Sequence, residues 1–376
     1  MWDVIVVGAR PAGAATALRF ARAGRAVLVL DKARPGTDTL STHVLVPPAV
    51  ARLGALGLGD ALLATGAPPV RTMLIEFDGE AHPRAAASGA YSLSVRRPTL
   101  DPILAGAAAD AGATLRHEVT VDALLRAGER VVGVRGRDAA GQPFAERARL
   151  VVGADGRHSS VARLGGAAEY NILECPHGAI YAYLRGVGPT SHGADVLQYA
   201  SGPGCDSLCC PCDGDLHLAL LVVDNAEFAR INAAGPAAYL ARLRTVPTLA
   251  PRLHDAAVAS HLFAAASREM RGYFRTPYGP GWALVGDAAY YAHPAAANGI
   301  ADALRSAELV HTLVERAWGE GREAEAHLAE YQETRDAENT GPFHGSYAFG
   351  RVNPFADPAI ATMVRQQSAA AAAAAT

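Results

Sequence analysis

WDVIVVGARPAGAATALRFARAGRAVLVLD, residues 2–31, is the stretch whose reading decides the fold. DVIVVG is a short, nearly continuous apolar run that ends in a Gly-rich turn. The segment after it has apolar residues at helical spacing as far as Gly24, and AVLVL then restores the strand pattern. A strand, helix, strand unit of about 30 residues crosses over right-handed into a parallel sheet. The N-terminus therefore reads as the first element of an α/β sheet.

The turn between strand and helix is a variant of Gly-x-Gly-x-x-Gly. In that loop the first glycine makes the tight turn, the second lets backbone approach a pyrophosphate, and the third lets helix pack on sheet. Gly8 and Gly13 hold the first and third places, with Ala12 beside the latter, and Arg10 stands in the second. Helix N-terminal amides would face the phosphates. Asp31 ends the second strand, where a carboxylate accepts from a ribose hydroxyl, and Lys32 follows it. A strand-turn-helix without any ligand is the plain alternative. An Arg leaving the loop beside a pyrophosphate adds a charge-assisted hydrogen bond if its Cβ points away from the phosphates.

Apolar runs return downstream in RLVVGADG (Arg149–Gly156) and GWALVGDAA (Gly281–Ala289). Between them AIYAYLRGV, DVLQYAS, LHLALLVVD and HLFAAASREM alternate or are β-rich and are separated by Gly, Pro and Asp, which predicts an inserted antiparallel sheet. After Gly299 the pattern is helical, with Leu304, Leu309, Leu313 and Ala317 on one face, and a second helix is expected over roughly Glu323 to Asn339. The terminal run Ala369 to Ala375 reads as a frayed helix end or an expression scar.

The 376 residues suffice for two or three domains. With 34 basic and 37 acidic residues interspersed, the net charge of −3 gives no field that would recruit nucleic acid or an anionic membrane. No apolar run approaches the ~18 residues of a membrane span. No charged segment followed by an apolar one precedes the first strand, so the expectation is a cytoplasmic protein without a leader.

Three distant segments extend the pattern: VVGADGRHSSVARLGG (Val151–Gly166), WALVGDAAYYAHPAAANGIADALRSAEL (Trp282–Leu309) and RRPTLDPILAGAAADAGATL (Arg96–Leu115). With the first loop, they make the chain resemble, from about Asp3 to Arg335, the FAD-dependent oxidoreductases that include class A flavoprotein monooxygenases (aromatic hydroxylases) and the geranylgeranyl reductase family. The resemblance implies a Rossmann-like FAD-binding domain, mostly parallel sheet with helices, an inserted antiparallel substrate sheet, and C-terminal helices. Residues 1–70, 97–165 and 272–335 would form the discontinuous FAD domain, 71–96 and 166–271 the substrate domain, and 336–376 a helical segment and tail.

The same resemblance assigns residues. Asp155 and Gly156 match the Asp-Gly motif, with Ser160 and Arg163 downstream. Gly286 and Asp287 match the Gly-Asp motif, whose carboxylate accepts from the FAD ribityl chain. Pro294, Asn298, Gly299 and Ile300 match the segment whose amides open a helix beside the flavin's pyrimidine edge. Arg97 would reach the phosphates or ribityl, backbone groups at Val121 and Ala154 would border the adenine, and His43 and Val44 would lie along the isoalloxazine. Members of the family carry Gly-Ala-Arg-x-Ala-Gly loops, so Arg10 points to FAD rather than NAD. Tyr290 stands where many aromatic hydroxylases have His, and HPAAANGIADA is a compact version of their Gly-rich stretch, so the substrate is not carried over. Trp2, Trp282 and Trp318 do not form the Trp-x-Trp-x-Ile-Pro motif of related halogenases, which argues against halogenation.

His43 is the candidate for proton transfer near the flavin, its alternative being loop packing alone. CDSLCCPCDGD lacks the second ligand group of a zinc site, so no metal is expected; alternation puts Cys210 and Cys212 on one strand face and Cys209 on the other, with Asp213 and Gly214 at the turn. Cys210, Cys212 and Tyr290 are the expected lining of a substrate pocket. The expected activity is hydroxylation or related oxidation of a hydrophobic, aromatic or polyketide-like small molecule with molecular oxygen and NADPH or NADH. A partner flavin reductase is an open alternative source of electrons. The rivals are a reductase or dehydrogenase that does not use oxygen and a catalytically silent FAD-binding protein.

Overall fold

A computed structural model describes residues 1–374, with side chains through Ala371. Its central sheet has the order Tyr278–Gly279, Trp282–Leu284, Pro143–Gly153, Trp2–Val7, Val27–Asp31, Thr114–His117. Every pairing after the first is parallel, with Val6 in register with both Val152 and Val29. The continuous apolar run of the first strand follows from burial on both faces. Val4 and Val6 face the helices Pro11–Arg22, Arg97–Asp110 and Gly299–Gly319, while Ile5 and Val7 face the other way. That other side is covered by the strands Thr120–Ala127 and Arg130–Arg137, whose Val121, Val131 and Val134 pack on Ile5, Val151 and Trp282. The layers are thus helix, parallel sheet and β-meander.

The second sheet runs Ala257–Val258, His177–Arg185, His217–Asp224, Cys205–Pro211, Val196–Gly202, Thr72–Phe77, Glu80–Ala85, with Phe263–Ala265 also on His177–Arg185. Its pairings are antiparallel except one: Val196–Gly202 pairs with Thr72–Phe77 in parallel. The expected antiparallel sheet is thus present, with one parallel pairing inside it. Those two strands are joined by a long connection through the other sheet, so no hairpin imposes opposite directions.

Tyr181, Tyr183, Leu197, Leu208, Cys210, Cys212 and Leu218 form the face turned toward Val44, Val46 and Ala297. Cys205 and Cys209 lie in the opposite layer with Ile231 and Tyr239 of the covering helices. A two-stranded ladder, Val44–Leu45 with Leu93–Ser94, and a three-stranded sheet of Glu169–Leu173, Gly272–Arg275 and Tyr290–Tyr291 complete the strands.

Leu328–Phe349 is a single helix running through residues 335 and 336. The last helix, Pro358–Ala374, docks on the outer sheet edge, where Ser368 donates to the Pro83 carbonyl at 3.0 Å. Of the expected terminal run, Ala369–Ala374 continues this helix and Ala375 lies outside the described residues. Among the described residues, no helix is long and apolar enough to cross a membrane.

Candidate cofactor and substrate site

The first strand ends at Gly8, whose φ of 107° L side chains rarely adopt. A Cβ at Gly8 would sit 2.4 Å from the Ala154 carbonyl oxygen, and one at Gly13 would sit 1.8 Å from the Gly8 carbonyl oxygen. Strand end, turn and helix therefore touch through bare backbone. The first helix turn has no carbonyls for its leading amides, among them Ala12 and Gly13. Arg10 is extended (φ −82°, ψ −174°), and no side-chain bond caps the helix. Its guanidinium lies among Arg97, Asp101, Asp31 and Asp38, its pKa lowered by burial first and by Arg97 second. Arg10 leaves the cradle intact and adds a cation at its rim.

Asp31 is buried, and its carboxylate accepts from the Ala9 amide at 2.5 Å and the Ala33 amide at 2.7 Å. It ties the glycine loop to the loop after the second strand while keeping acceptor capacity. Lys32 is exposed.

Arg97 opens the helix Arg97–Asp110 and makes a two-pronged ion pair with Asp101, at 2.7 and 2.9 Å. Asp213, at the end of the cysteine-rich strand, holds this helix start: it accepts from the Arg96 amide at 2.8 Å and from Thr99 Oγ1 at 2.7 Å. Arg97 acts electrostatically on Arg10, His43 and Asp287, which places it at the convergence of these groups.

Asp155 is committed to its own turn. Its carboxylate accepts from Ser159 Oγ at 2.5 Å and the Ser160 amide at 2.6 Å. The charge from this motif that acts on Asp287 is Arg157, which sequence reasoning passed over. Its guanidinium lies 5.1 Å from the Tyr291 ring centroid, one of its nitrogens is buried without a partner, and it favours the ionised form of Asp287. The signal available was an Arg directly after Asp-Gly. Val121 lies under the parallel sheet, and Ala154 touches Gly8.

Gly286 has φ of 57°, and a Cβ there would come 2.8 Å from the Ala12 Cβ. Its amide donates to Ser306 Oγ at 2.9 Å. The Gly-Asp turn is thereby wedged between the first helix and Gly299–Gly319. Burial raises the Asp287 carboxyl above its ordinary value, opposed by Arg157 and then Arg97. Pro294–Ala296 is a 3-10 turn, Ala297 is left-handed (φ 53°), and Asn298 precedes Gly299–Gly319 without capping it through its side chain. Gly299 is exposed and Ile300 buried.

Asp302, in the first turn of that helix, has its carboxyl pushed up to about 7 by burial, with Asp287 adding to the shift and Arg52 opposing it. A carboxyl raised on folding stabilises the chain below its unfolded value of 3.8, and this contribution is lost as pH rises through about 7. Asp302→Asn should therefore raise Tm by roughly 2–4 °C at pH 8, with the gain shrinking as pH falls toward 4. Scanning calorimetry of the two proteins across this range checks it; a pH-independent gain would remove burial of the charge as the cause.

His43 is fully buried at φ 58° and reaches the inner face of the second sheet. Its Nε2 lies 2.5 Å from Tyr183 Oη, the two rings stack at 5.6 Å, and its Nδ1 has no partner. Burial, then Arg97, pushes its pKa down to about 3; Asp213 opposes and Arg96 assists. Val44 pairs with Ser94, whose Oγ is 3.1 Å from Cys212 Sγ. Burial raises both the Cys210 and Cys212 thiols. Tyr290 is not brought to this face. It packs at 4.6 Å on Phe274 and at 6.0 Å on Phe343, because strand alternation sends Tyr291 the other way, toward Arg157.

The backbone-lined cradle, the rim of arginines and the acceptor at Asp287 fit an extended dinucleotide with its phosphates at the first helix. A family model described as an FAD binding domain matches residues 1–340. The chain belongs to that flavoprotein family. It is an FAD-dependent oxidoreductase related to flavoprotein monooxygenases.

Curated relatives of this flavoprotein include the menaquinone reductase of Mycolicibacterium smegmatis, 30% identical over 332 residues, covering 83% of this chain and 76% of that one. Another is the 6-methylpretetramide 4-monooxygenase of Streptomyces rimosus, 27% identical over 332 residues, 83% of this chain and 75% of that one. A probable electron transfer flavoprotein-quinone oxidoreductase of Escherichia coli K12, YgcN, is 37% identical over 165 residues; the match covers 44% of this chain and 38% of the relative. Among solved structures, the myxobacterial chondrochloren halogenase CndH superposes with a TM-score of 0.83 at 22% identity, covering 93% of this chain and 82% of its own. PqsL of Pseudomonas aeruginosa does so at 0.76 and 20% identity over the whole of both chains. At such identities these two establish the fold alone.

Proposed function

We propose that the protein is a monooxygenase that uses FAD, NADPH or NADH, and molecular oxygen to hydroxylate a hydrophobic, aromatic or polyketide-like small molecule. The observation that carries this reading is the inner face of the second sheet. It is a buried aromatic and aliphatic surface, with the His43–Tyr183 pair beside the Cys210 and Cys212 thiols and against Val44 and Ala297.

In this reading Gly8, Ala12 and Gly13 admit the FAD pyrophosphate, Arg10 and Arg97 neutralise it, and Asp31 takes the ribose. Val121 and Ala154 border the adenine; Gly286 and Asp287 present the ribityl acceptor. The amides that follow Pro294 and Asn298, at Gly299 and Ile300, lie by the ring, where a helix start favours negative charge. Bound FAD supplies the hydride acceptance and oxygen activation that side chains lack. The sheet excludes water, and Val44, Cys210 and Cys212 shape the pocket. His43 transfers the substrate's proton.

The similarity to a monooxygenase of 6-methylpretetramide over most of both chains supports the oxygenase reading. The similarity to menaquinone reductase, of equal extent, favours a second one: reduction of a quinone-like or C=C bond without oxygen. The FAD-loaded protein is mixed anaerobically with NADPH or NADH and a panel of phenols and quinones, then with isotopically heavy oxygen. A monooxygenase gives flavin bleaching and one heavy oxygen atom in a phenol product by mass spectrometry. Bleaching with quinone reduction and no label selects the reductase; bleaching by neither nicotinamide overturns both.

A further inference from the structure

We propose that Tyr273 and Arg275 are positioning residues for FAD: they lock the Asp-Gly turn to the Gly-Asp turn and so keep the cation of Arg157 in range of the Asp287 carboxylate. This deepens the assignment of Asp287 as the ribityl acceptor and rests on it.

The two turns need such a lock. They leave the adjacent parallel strands Pro143–Gly153 and Trp282–Leu284, whose ladder pairs Gly153 with Leu284 and ends with the Val285 amide donating to the Gly153 carbonyl at 2.9 Å. Past that point the ladder no longer sets their spacing. The Asp155 carboxylate bonds only within its own segment, to Ser159 and Ser160, and the Gly286 amide turns to Ser306 of the helix Gly299–Gly319. Neither turn reaches the other through these bonds.

The strand Gly272–Arg275 supplies the link. Alternation puts Tyr273 and Arg275 on one face, the Arg275 guanidinium 4.1 Å from the Tyr273 ring centroid, while Phe274 packs on the opposite side with Tyr290 and Phe343. Tyr273 Oη shares its proton between the Asp287 carbonyl at 2.8 Å and the Arg157 carbonyl at 3.1 Å. Arg275 donates through Nη1 to the Ala288 carbonyl and through Nη2 to the Arg157 carbonyl, both at 3.0 Å. Each side chain therefore bridges both turns, and the Arg157 carbonyl has both lone pairs filled. Burial raises the Tyr273 phenol above its ordinary value, so it stays a hydroxyl donor. Glu169 of the neighbouring strand pairs with Arg275 at 2.9 Å and steadies the fork.

The backbone of Arg157 is thus held twice, while its side chain lies over Tyr291 with a buried Nη1 that has no partner. Asp287 faces Arg157 from the Asp-Gly turn, Arg97 from the start of its helix, Asp302 from the helix Gly299–Gly319, and the phenols of Tyr273, Tyr290 and Tyr291. Burial raises the Asp287 carboxyl, and Arg157 is the stronger of the two cations that oppose the rise. Only the ionised carboxylate accepts from hydroxyls through both oxygens. Without the Arg157 charge the carboxyl rises further, so FAD binding is lost at a higher pH as the solution is acidified.

The test dilutes the FAD-loaded protein at pH 5 and at pH 8 and reads released FAD by fluorescence, which gives the affinity at each pH. Arg157→Met should weaken FAD about 10-fold at pH 5 and no more than about 2-fold at pH 8. Arg157→Lys keeps a cation and should match wild type within about 2-fold at both. Tyr273→Phe and Arg275→Gln each remove one bridge, and either should repeat the pattern of Arg157→Met. Losses equal at the two pH values in both bridge variants, or an Arg157→Lys protein that behaves as Arg157→Met does, would overturn the proposal. Asp287→Ala in the same assay separates the two readings. If FAD affinity survives that change, the acceptor assignment falls and the proposal with it; if Asp287→Ala weakens FAD and the bridge variants do not, the proposal falls alone.

Discussion

Gly13→Ala should abolish FAD retention, giving colourless protein after purification. The added methyl would lie 1.8 Å from the Gly8 carbonyl oxygen and 3.1 Å from the Ala154 Cβ. Neither neighbour is free to yield. Gly8 is anchored by its amide to the Leu30 carbonyl at 2.8 Å, and Ala154 by its amide to the Val7 carbonyl at 2.8 Å. The helix must move away from the sheet, which carries its leading amides away from the phosphates and costs about 1–3 kcal/mol or more in overpacking. Gly106→Ala is the control: the same methyl in the Arg97–Asp110 helix meets nothing within 4 Å and should add roughly 1 kcal/mol of helix propensity. Absorbance at the flavin bands and thermal denaturation separate the two. Retention of yellow colour by Gly13→Ala would place the phosphates elsewhere.

Asp287→Ala comes second in size and acts through chemistry rather than sterics. A carboxylate accepting from two ribityl hydroxyls loses two charge-assisted bonds of about 1.5–3 kcal/mol each when deleted, so FAD affinity should fall at least ~100-fold. The fold should survive. Burial raises this carboxyl, so its ionisation at neutral pH opposes folding, and removing it relieves that cost. Dialysis followed by far-ultraviolet circular dichroism should therefore show an apoprotein that is folded; undiminished flavin colour would remove Asp287 from the binding set.

The parts of the molecule that sequence made legible are those where period and chemistry coincide. Residues 2–31 announce a buried parallel strand because the apolar run is unbroken, and Gly8 and Gly13 stand where backbone must touch backbone. Alternation separated Cys209 from Cys210 and Cys212, which do lie in different apolar layers. Strand direction was not legible, since a period of two is the same in either sense; hence the surprise of Thr72–Phe77 beside Val196–Gly202. Side-chain direction after a turn was equally hidden. Tyr290 leaves its expected place in the substrate pocket for Phe274 and Phe343 because a two-residue strand carries no pattern. Arg157 was missed for another reason: Asp155 drew the attention, and only coordinates show its carboxylate already engaged by Ser159 and Ser160.

The parallel pairing at Thr72–Phe77 also bears on how the chain assembles during synthesis. That strand emerges from the ribosome more than a hundred residues ahead of Val196–Gly202, with only the polar hairpin neighbour Glu80–Ala85 to cover it meanwhile. Its sequence, TMLIEF, is the kind of exposed edge to which other chains add. A nascent or truncated product stopping short of residue 196 should therefore be a sticky species that depends on chaperones, whereas the full-length product buries the edge for good.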